Sequence, residues 1–238
     1  MINTYVALDL ETTGIDPVKS EILEIGAVKV VDGNVVDTYG TLLNIDGDIP
    51  KQVVELTGIT KSMTTTGIPE RQAMDEICDF CKGYVLLGHN IRFDYSFLKA
   101  KSMKYKLQIP NDAVDTLKIA RNKLKELESR SLSYLCEYFN IPPSVSHRAY
   151  EDAESAMKLY NIFQDMFGDE EELFKSFKLT YKPKKESPIT AAQIRYLTDL
   201  LNYHGLSVDN INELTKSDAS RKIDSIIREY GRIERGFR

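Results

Sequence analysis

Five side chains stand out for what they could do together. In "YVALDLETTG" (5–14) an apolar run leads into Asp9, passes one residue and reaches Glu11. Alternate side chains of a strand share a face, so the two carboxylates point the same way from its end. They repel one another unless a cation lies between them, and hard oxygen ligands suit Mg²⁺ or Mn²⁺. Asp94, in "GHNIRFDYSFL" (88–98), follows a second apolar run where a helix begins, and "HRAYEDA" (147–153) places Asp152 five residues after His147. Four carboxylates converging from separate elements would be costly to hold without metal. Two divalent ions about 3.5–4 Å apart would neutralise them, clamp the attacking and leaving oxygens of a phosphodiester, and acidify a water. A histidine beside that water could take its proton. A D-x-E pair alone is a weak signal, far more often a surface turn than a site, and a lone histidine is more often structural. The weight rests on the combination.

The elements that must carry these groups can be read from periodicity. Residues 4–10 form a strand. The β-branched segments 21–31 and 35–44 flank "DGN", a hairpin signal, which gives three antiparallel strands. Residues 69–83 have helical spacing and end in Gly83, residues 84–90 read as a buried strand, and a helix follows from about Phe93. "AVDTLKIARNKL" begins as a strand and turns helical, while "SLSYLCEYFNI" and "RAYEDAESAMKLYNIFQDMF" are amphipathic helices. Three strands and then strands alternating with helices predict an α/β domain with a mixed five-stranded sheet flanked by helices.

We place that domain at residues 1–174 and a basic linker with two prolines at 175–188, with a small helical accessory domain at 189–238. In the last, Thr190 and Gln193 form a capping box before a stripe of Ile194, Leu197, Leu200 and Leu201 that Gly205 stops. A second helix begins after Thr215, with Ala219, Ile223, Ile226 and Ile227 inward and Gly231 at its end. The pair makes a small helical hairpin.

Charge divides along the same line. The chain carries −5 over 238 residues; from Lys175 onward 13 Lys and Arg face 8 Asp and Glu, a net +5, which leaves −10 on the preceding body. An acidic body with a basic tail suggests that the tail meets a polyanion or a protein partner. No apolar run approaches the roughly 20 residues of a membrane span, no signal peptide is evident, and three cysteines make no disulfide framework, so a cytoplasmic protein with no membrane partner is expected. Cys78 and Cys81 lie within a helical pattern and read as core. The run 169–172 reads as a solvated helix start, and "KPKK" (182–185) as a short basic linker that could touch phosphate.

The motifs "DLETTG", "GHNIRFD" and "HRAYEDA", in this order, resemble those of the DEDDh 3′–5′ exonucleases, over roughly residues 3–167. That group has a ribonuclease H-like fold and includes the epsilon proofreading subunit of bacterial DNA polymerase III. The resemblance implies that Asp9, Glu11, Asp94 and Asp152 hold two Mg²⁺ or Mn²⁺ ions and that His147 is the general base. It also implies that Thr12 and Thr13 lie along the terminal nucleotide and that Asn90 and Phe93 help seat the strand. The expected substrate is a single-stranded DNA 3′ end, released as nucleoside 5′-monophosphates, with RNA trimming as the alternative and a non-catalytic binding module as a distant third. The C-terminal hairpin does not resemble the epsilon subunit's polymerase-binding tail; it would tether nucleic acid, with docking of a DNA polymerase or another replication or repair protein as the alternative. One position departs from the pattern: Thr57, in "ELTGIT", stands where epsilon subunits often carry histidine.

Overall fold

Strand β1, Tyr5–Thr12, sends successive side chains to two faces of a sheet, and both faces are covered. The computed structural model describes residues 1–142, 148–183, 187–208 and 210–233. On one face Val6, Leu8 and Leu10 join a core with Met74, Ile77, Phe97 and Leu98. On the other, Tyr5 and Ala7 pack with Ile119, Leu135, Leu159, Tyr160 and Phe163. Each fully buried Val, Leu, Ile, Phe or Met among these contributes about 1.5–3 kcal/mol relative to exposure.

The chain runs through β2 (Ile22–Val31), β3 (Asn34–Asn44), α1 (Lys51–Thr57), α2 (Lys61–Thr64), β4 (Ile68–Pro69), α3 (Glu70–Cys81), β5 (Val85–Gly88), α4 (Arg92–Tyr105), β6 (Asp112–Asp115), α5 (Thr116–Lys123), α6 (Leu132–Tyr138), α7 (Ala149–Phe167), β7 (Phe177–Lys178), α8 (Ala191–His204) and α9 (Lys216–Tyr230). Strands β1, β2 and β3 pair antiparallel. Asp32 and Gly33 close the β2–β3 hairpin at φ 49° and 78°, the left-handed pair that a tight hairpin turn requires. Strands β1, β5 and β6 pair parallel.

The sheet has seven strands in the order β4-β3-β2-β1-β5-β6-β7, where five were expected. The two additions, β4 and β7, are edge strands of two residues each, too short to leave an alternation in the sequence. Helices α1 and α2 went unread for a similar reason. They are seven and four residues long, and α1 packs Val53 on a small satellite core around Leu23, Ile45 and Ile59.

The chain divides into two compact units, Met1–Lys182 and Pro183–Arg238. Part of the stretch assigned to the linker therefore belongs to the sheet. Lys178 and Phe177 pair with Asp112 and Ala113, and Leu179 is buried and donates its N–H to the Asn111 carbonyl at 2.6 Å. In the second unit the Thr190–Gln193 capping box opens α8, Gly205 ends it in the left-handed conformation, and Thr215 caps α9. Leu197, Leu200 and Leu201 pack on Ile223 and Ile226. Among the described residues no helix is long and apolar enough to cross a membrane.

Candidate active site

The alternation that buries Tyr5 and Ala7 places Asp9 and Glu11 on the same face of β1, the face that α7 covers. In the β1–β2 register Asp9 lies across from Gly26 and Glu11 across from Glu24. Gly26 is what lets α7 come so near. A Cβ there would stand 2.1 Å from the Ala149 carbonyl carbon and the Tyr150 nitrogen, closer than any side chain tolerates. The first turn of α7 therefore rests on the β2 backbone, and that turn carries Asp152. Carboxylate oxygens of Asp9, Glu11 and Asp152 lie within 4.8 Å of one another.

Asp94 enters from the first turn of α4, is 3% exposed, and accepts the Leu10 N–H at 3.1 Å. Of the four acids read as ligands, three meet in one cluster and Asp94 stands beside them, its charge felt by Asp9. Burial raises the Asp9 carboxyl well above its ordinary value, and Asp94, Asp152, Glu11 and Glu24 raise it further. Burial likewise raises Asp94, against the pull of backbone N–H donors. Glu11 is pushed up to about 7 by burial and by Asp152 and Glu24, with Arg148 acting in the opposite sense. A half-buried group of carboxylates that resists losing its protons is short of positive charge. The donor set is all oxygen, with no thiol, and fits a hard divalent cation.

The other sequence-derived candidates divide. The Thr12 hydroxyl donates to the Gly14 carbonyl at 2.7 Å, and the Thr13 hydroxyl accepts the Glu21 N–H at 2.9 Å, so both hold the turn that leaves β1. Asn90 is exposed in the left-handed conformation (φ 73°), and its N–H donates to Asp115 at 2.9 Å. Phe93 is half-buried against Phe97, which gives its ring a packing role. His147 lies outside the described residues. Cys78 and Cys81 are buried free thiols. His89, inside the second motif, is held by the Thr116 hydroxyl at 2.9 Å and the Arg130 carbonyl at 2.7 Å, and burial lowers its pKa. Both ring nitrogens are engaged by protein groups, which gives the ring a structural role.

Three residues of the site escaped the reading of the sequence. Gly26 sits in a run that reads only as a strand. Asp115 is buried at the end of β6, caps α5 through the N–H groups of Leu117 and Lys118, and holds Asn90. Glu24 is 6% exposed and accepts from Arg148 and from the Ala149 N–H. A carboxylate inside the apolar run "EILEIGAV" was the available signal, because an acid is almost never fully buried without a partner. Beside Asn90 an open cleft of about 510 Å³ is lined by Leu117, Arg121, Ser129, Arg130 and Ser131 among others.

Comparison with known proteins places this site in a family. Residues 6–160 match the family described as "Exonuclease". The chain is 36% identical over 156 residues to the PolC-type DNA polymerase III of Caldanaerobacter subterraneus subsp. tengcongensis, covering 66% of this chain and 11% of that protein. It is 37% identical over 164 residues to the PolC-type DNA polymerase III of Thermotoga petrophila, covering 68% and 12%. The chain thus spans about a ninth of the length of these relatives. Among solved structures, E. coli exonuclease I in complex with a dA16 oligonucleotide shares the fold with a TM-score of 0.65 at 19% identity, over 71% of this chain and 42% of that one. Exonuclease X in complex with 5′-overhanging duplex DNA gives 0.56 at 24% identity, over 69% and 93%. The nuclease domain of 3′hExo, a DEDDh family member bound to rAMP, gives 0.57 at 16% identity, again over 69% and 93%. With its ordered motifs, its acid cluster and a match across most of the first unit, this chain belongs to the exonuclease family, and its ribonuclease H-like fold is shared with a DEDDh member.

Proposed function

We propose that the chain removes nucleotides one at a time from the 3′ ends of single-stranded DNA, releasing nucleoside 5′-monophosphates. The observation that carries this reading is the convergence of Asp9, Glu11 and Asp152 from a strand end and a helix start to within 4.8 Å. With Asp94 beside them, these residues would hold two Mg²⁺ or Mn²⁺ ions. When bound, the ions polarise the scissile phosphate and acidify the attacking water. The carboxylates would set where the cations sit, and the close approach of α7 to Gly26 on β2 holds Asp152 beside β1. His147 takes the proton from the attacking oxygen. The turn held by Thr12 and Thr13 and the left-handed Asn90 border the terminal nucleotide, and Arg121 and Arg130 line the neighbouring cleft, where a phosphate backbone would find cations.

The polymerase relatives and the DNA-bound exonuclease structures favour DNA. One neighbour was solved with rAMP, so RNA is the reading to test against it. Discrimination would rest on contacts to the 2′-hydroxyl. The deciding experiment gives 5′-labelled DNA and RNA strands of one sequence to the full chain, with Mg²⁺ and with Mn²⁺. A ladder shortening from the 3′ end of DNA supports the proposal, faster trimming of RNA reassigns the substrate, and no shortening of either rejects nuclease action. We further propose that the second unit is an accessory module, docking nucleic acid or a replication or repair protein.

A further inference from the structure

Glu24, on β2, lies directly across from Glu11 on β1, yet both of its carboxylate oxygens are engaged elsewhere. Oε1 accepts from Arg148 Nη2 at 2.6 Å and Nε at 3.1 Å. Oε2 accepts from Arg148 Nε at 3.0 Å and from the Ala149 N–H at 3.0 Å. Arg148 occupies the N-cap position of α7 and supplies no side-chain cap of its own, so Glu24 provides the missing acceptor from 124–125 residues away. The Arg148 carbonyl in turn accepts the Asp152 N–H at 2.9 Å. A continuous path therefore runs from a buried carboxylate on β2, through residues 148 and 149, to the backbone of Asp152.

An uncharged Ser or Asn can cap a helix without adding a buried charge. Glu24 adds one opposite Glu11, and it raises the proton affinity of both Asp9 and Glu11. That cost is explained if the charge is needed for Arg148. The guanidinium is near enough to Glu11 for its charge to be felt there. Without its fork on Glu24, it could turn to the acid cluster and occupy the place of a cation.

We propose that Glu24 is a positioning residue of the metal site: its forked pair with Arg148 and its bond to the Ala149 N–H set Asp152 against Asp9 and Glu11 and keep the Arg148 guanidinium out of the cluster. This inference rests on the metal-site reading given above. Residues that hold metal ligands in place without touching the metal are commonly worth about 10–100-fold in metal affinity or activity when replaced.

The test is calorimetric titration of Mn²⁺ into the metal-free full chain, followed by kcat and KM on a short single-stranded oligonucleotide. Glu24→Gln keeps an acceptor for the Ala149 N–H and loses the charge. Its Mn²⁺ affinity and kcat should each fall about 10–100-fold, with KM for the oligonucleotide little changed. The double variant Glu24→Gln/Arg148→Gln should recover part of the lost Mn²⁺ affinity, because no guanidinium remains to compete. Arg148→Lys, which keeps the charge but not the fork, should lie between wild type and Glu24→Gln, and it carries the test if Glu24→Gln does not fold. Wild-type Mn²⁺ affinity and kcat in a folded Glu24→Gln, or in Arg148→Lys if only that folds, would overturn the proposal even if the melting temperature dropped. A wild-type chain that takes up no Mn²⁺ would overturn the metal-site reading itself, and the role of Glu24 with it.

Discussion

The two units of this chain are built on opposite electrostatic terms. The buried polar and charged residues among those described, including Glu24, Asp94 and Asp115, all lie in the unit Met1–Lys182. There, carboxylates are packed against one another and their proton affinities are raised. In the unit Pro183–Arg238, helix caps, stripe and stop residues agree locally, and the described core consists of Leu, Ile, Ala and similar side chains. Local agreement at every level is what a stable fold asks for, and a breach of it marks the place where function is extracted. The first unit stores unfavourable charge that a cation would relieve; the second stores none that the described residues reveal.

The largest test of this contrast removes the stored charge. Asp9→Ala or Asp152→Ala should abolish exonuclease activity, because each deletes a ligand. The metal-free melting temperature should hold or rise, because each also relieves repulsion. Retained turnover in either variant would break the assignment. Replacing His147 by Ala is the next largest step. The rate should fall about 10²–10⁴-fold, the usual worth of a general base, while calorimetric Mn²⁺ binding stays near wild type. The acidic limb of the rate–pH profile should flatten, and an unchanged profile would assign proton removal to another group.

A third test reads the stored charge directly. The Glu11 carboxyl is raised from 4.5 to about 7 in the folded chain. A raised folded value means that its contribution to stability is fully present below the unfolded value and is lost as pH rises through the folded one. In EDTA the melting temperature should therefore fall between about pH 5 and pH 8, and saturating Mn²⁺ should remove most of that slope. A flat profile without metal would show that the acids ionise freely.

The smallest effect belongs to the second unit. Residues 183–238 hold 10 Lys and Arg against 8 Asp and Glu, a net +2, because Lys175, Lys178 and Lys182 belong to the sheet-bearing unit. The basic tail is thus milder than the division at Lys175 suggested. A truncated chain ending at Lys182, which keeps β7, should turn over short oligonucleotides like the full chain. On long strands it should bind somewhat more weakly, with a slightly shallower salt dependence. Equal affinity for long DNA at low and moderate salt would discard the tether and leave protein docking as the role of the hairpin.

Much of this was legible because its physics is local. Period-2 alternation put Asp9 and Glu11 on one face, the "DGN" signal closed a hairpin, and Thr190 with Gln193 capped α8, each within a few residues. Asp94 and Asp152 could be placed at helix starts for the same reason. The sequence by itself determined the acids, the order of the elements that carry them and the helical hairpin beyond them. Only the tertiary structure decided that α7 rests on Gly26, that Glu24 reaches Arg148 across 124 residues, that Asp115 steadies Asn90 and that two residues at Phe177 complete the sheet. Those facts depend on which surfaces meet after the chain has closed on itself. A glycine chosen for the absence of a Cβ, or a buried acid chosen for a partner far along the chain, leaves no periodic trace near its own position.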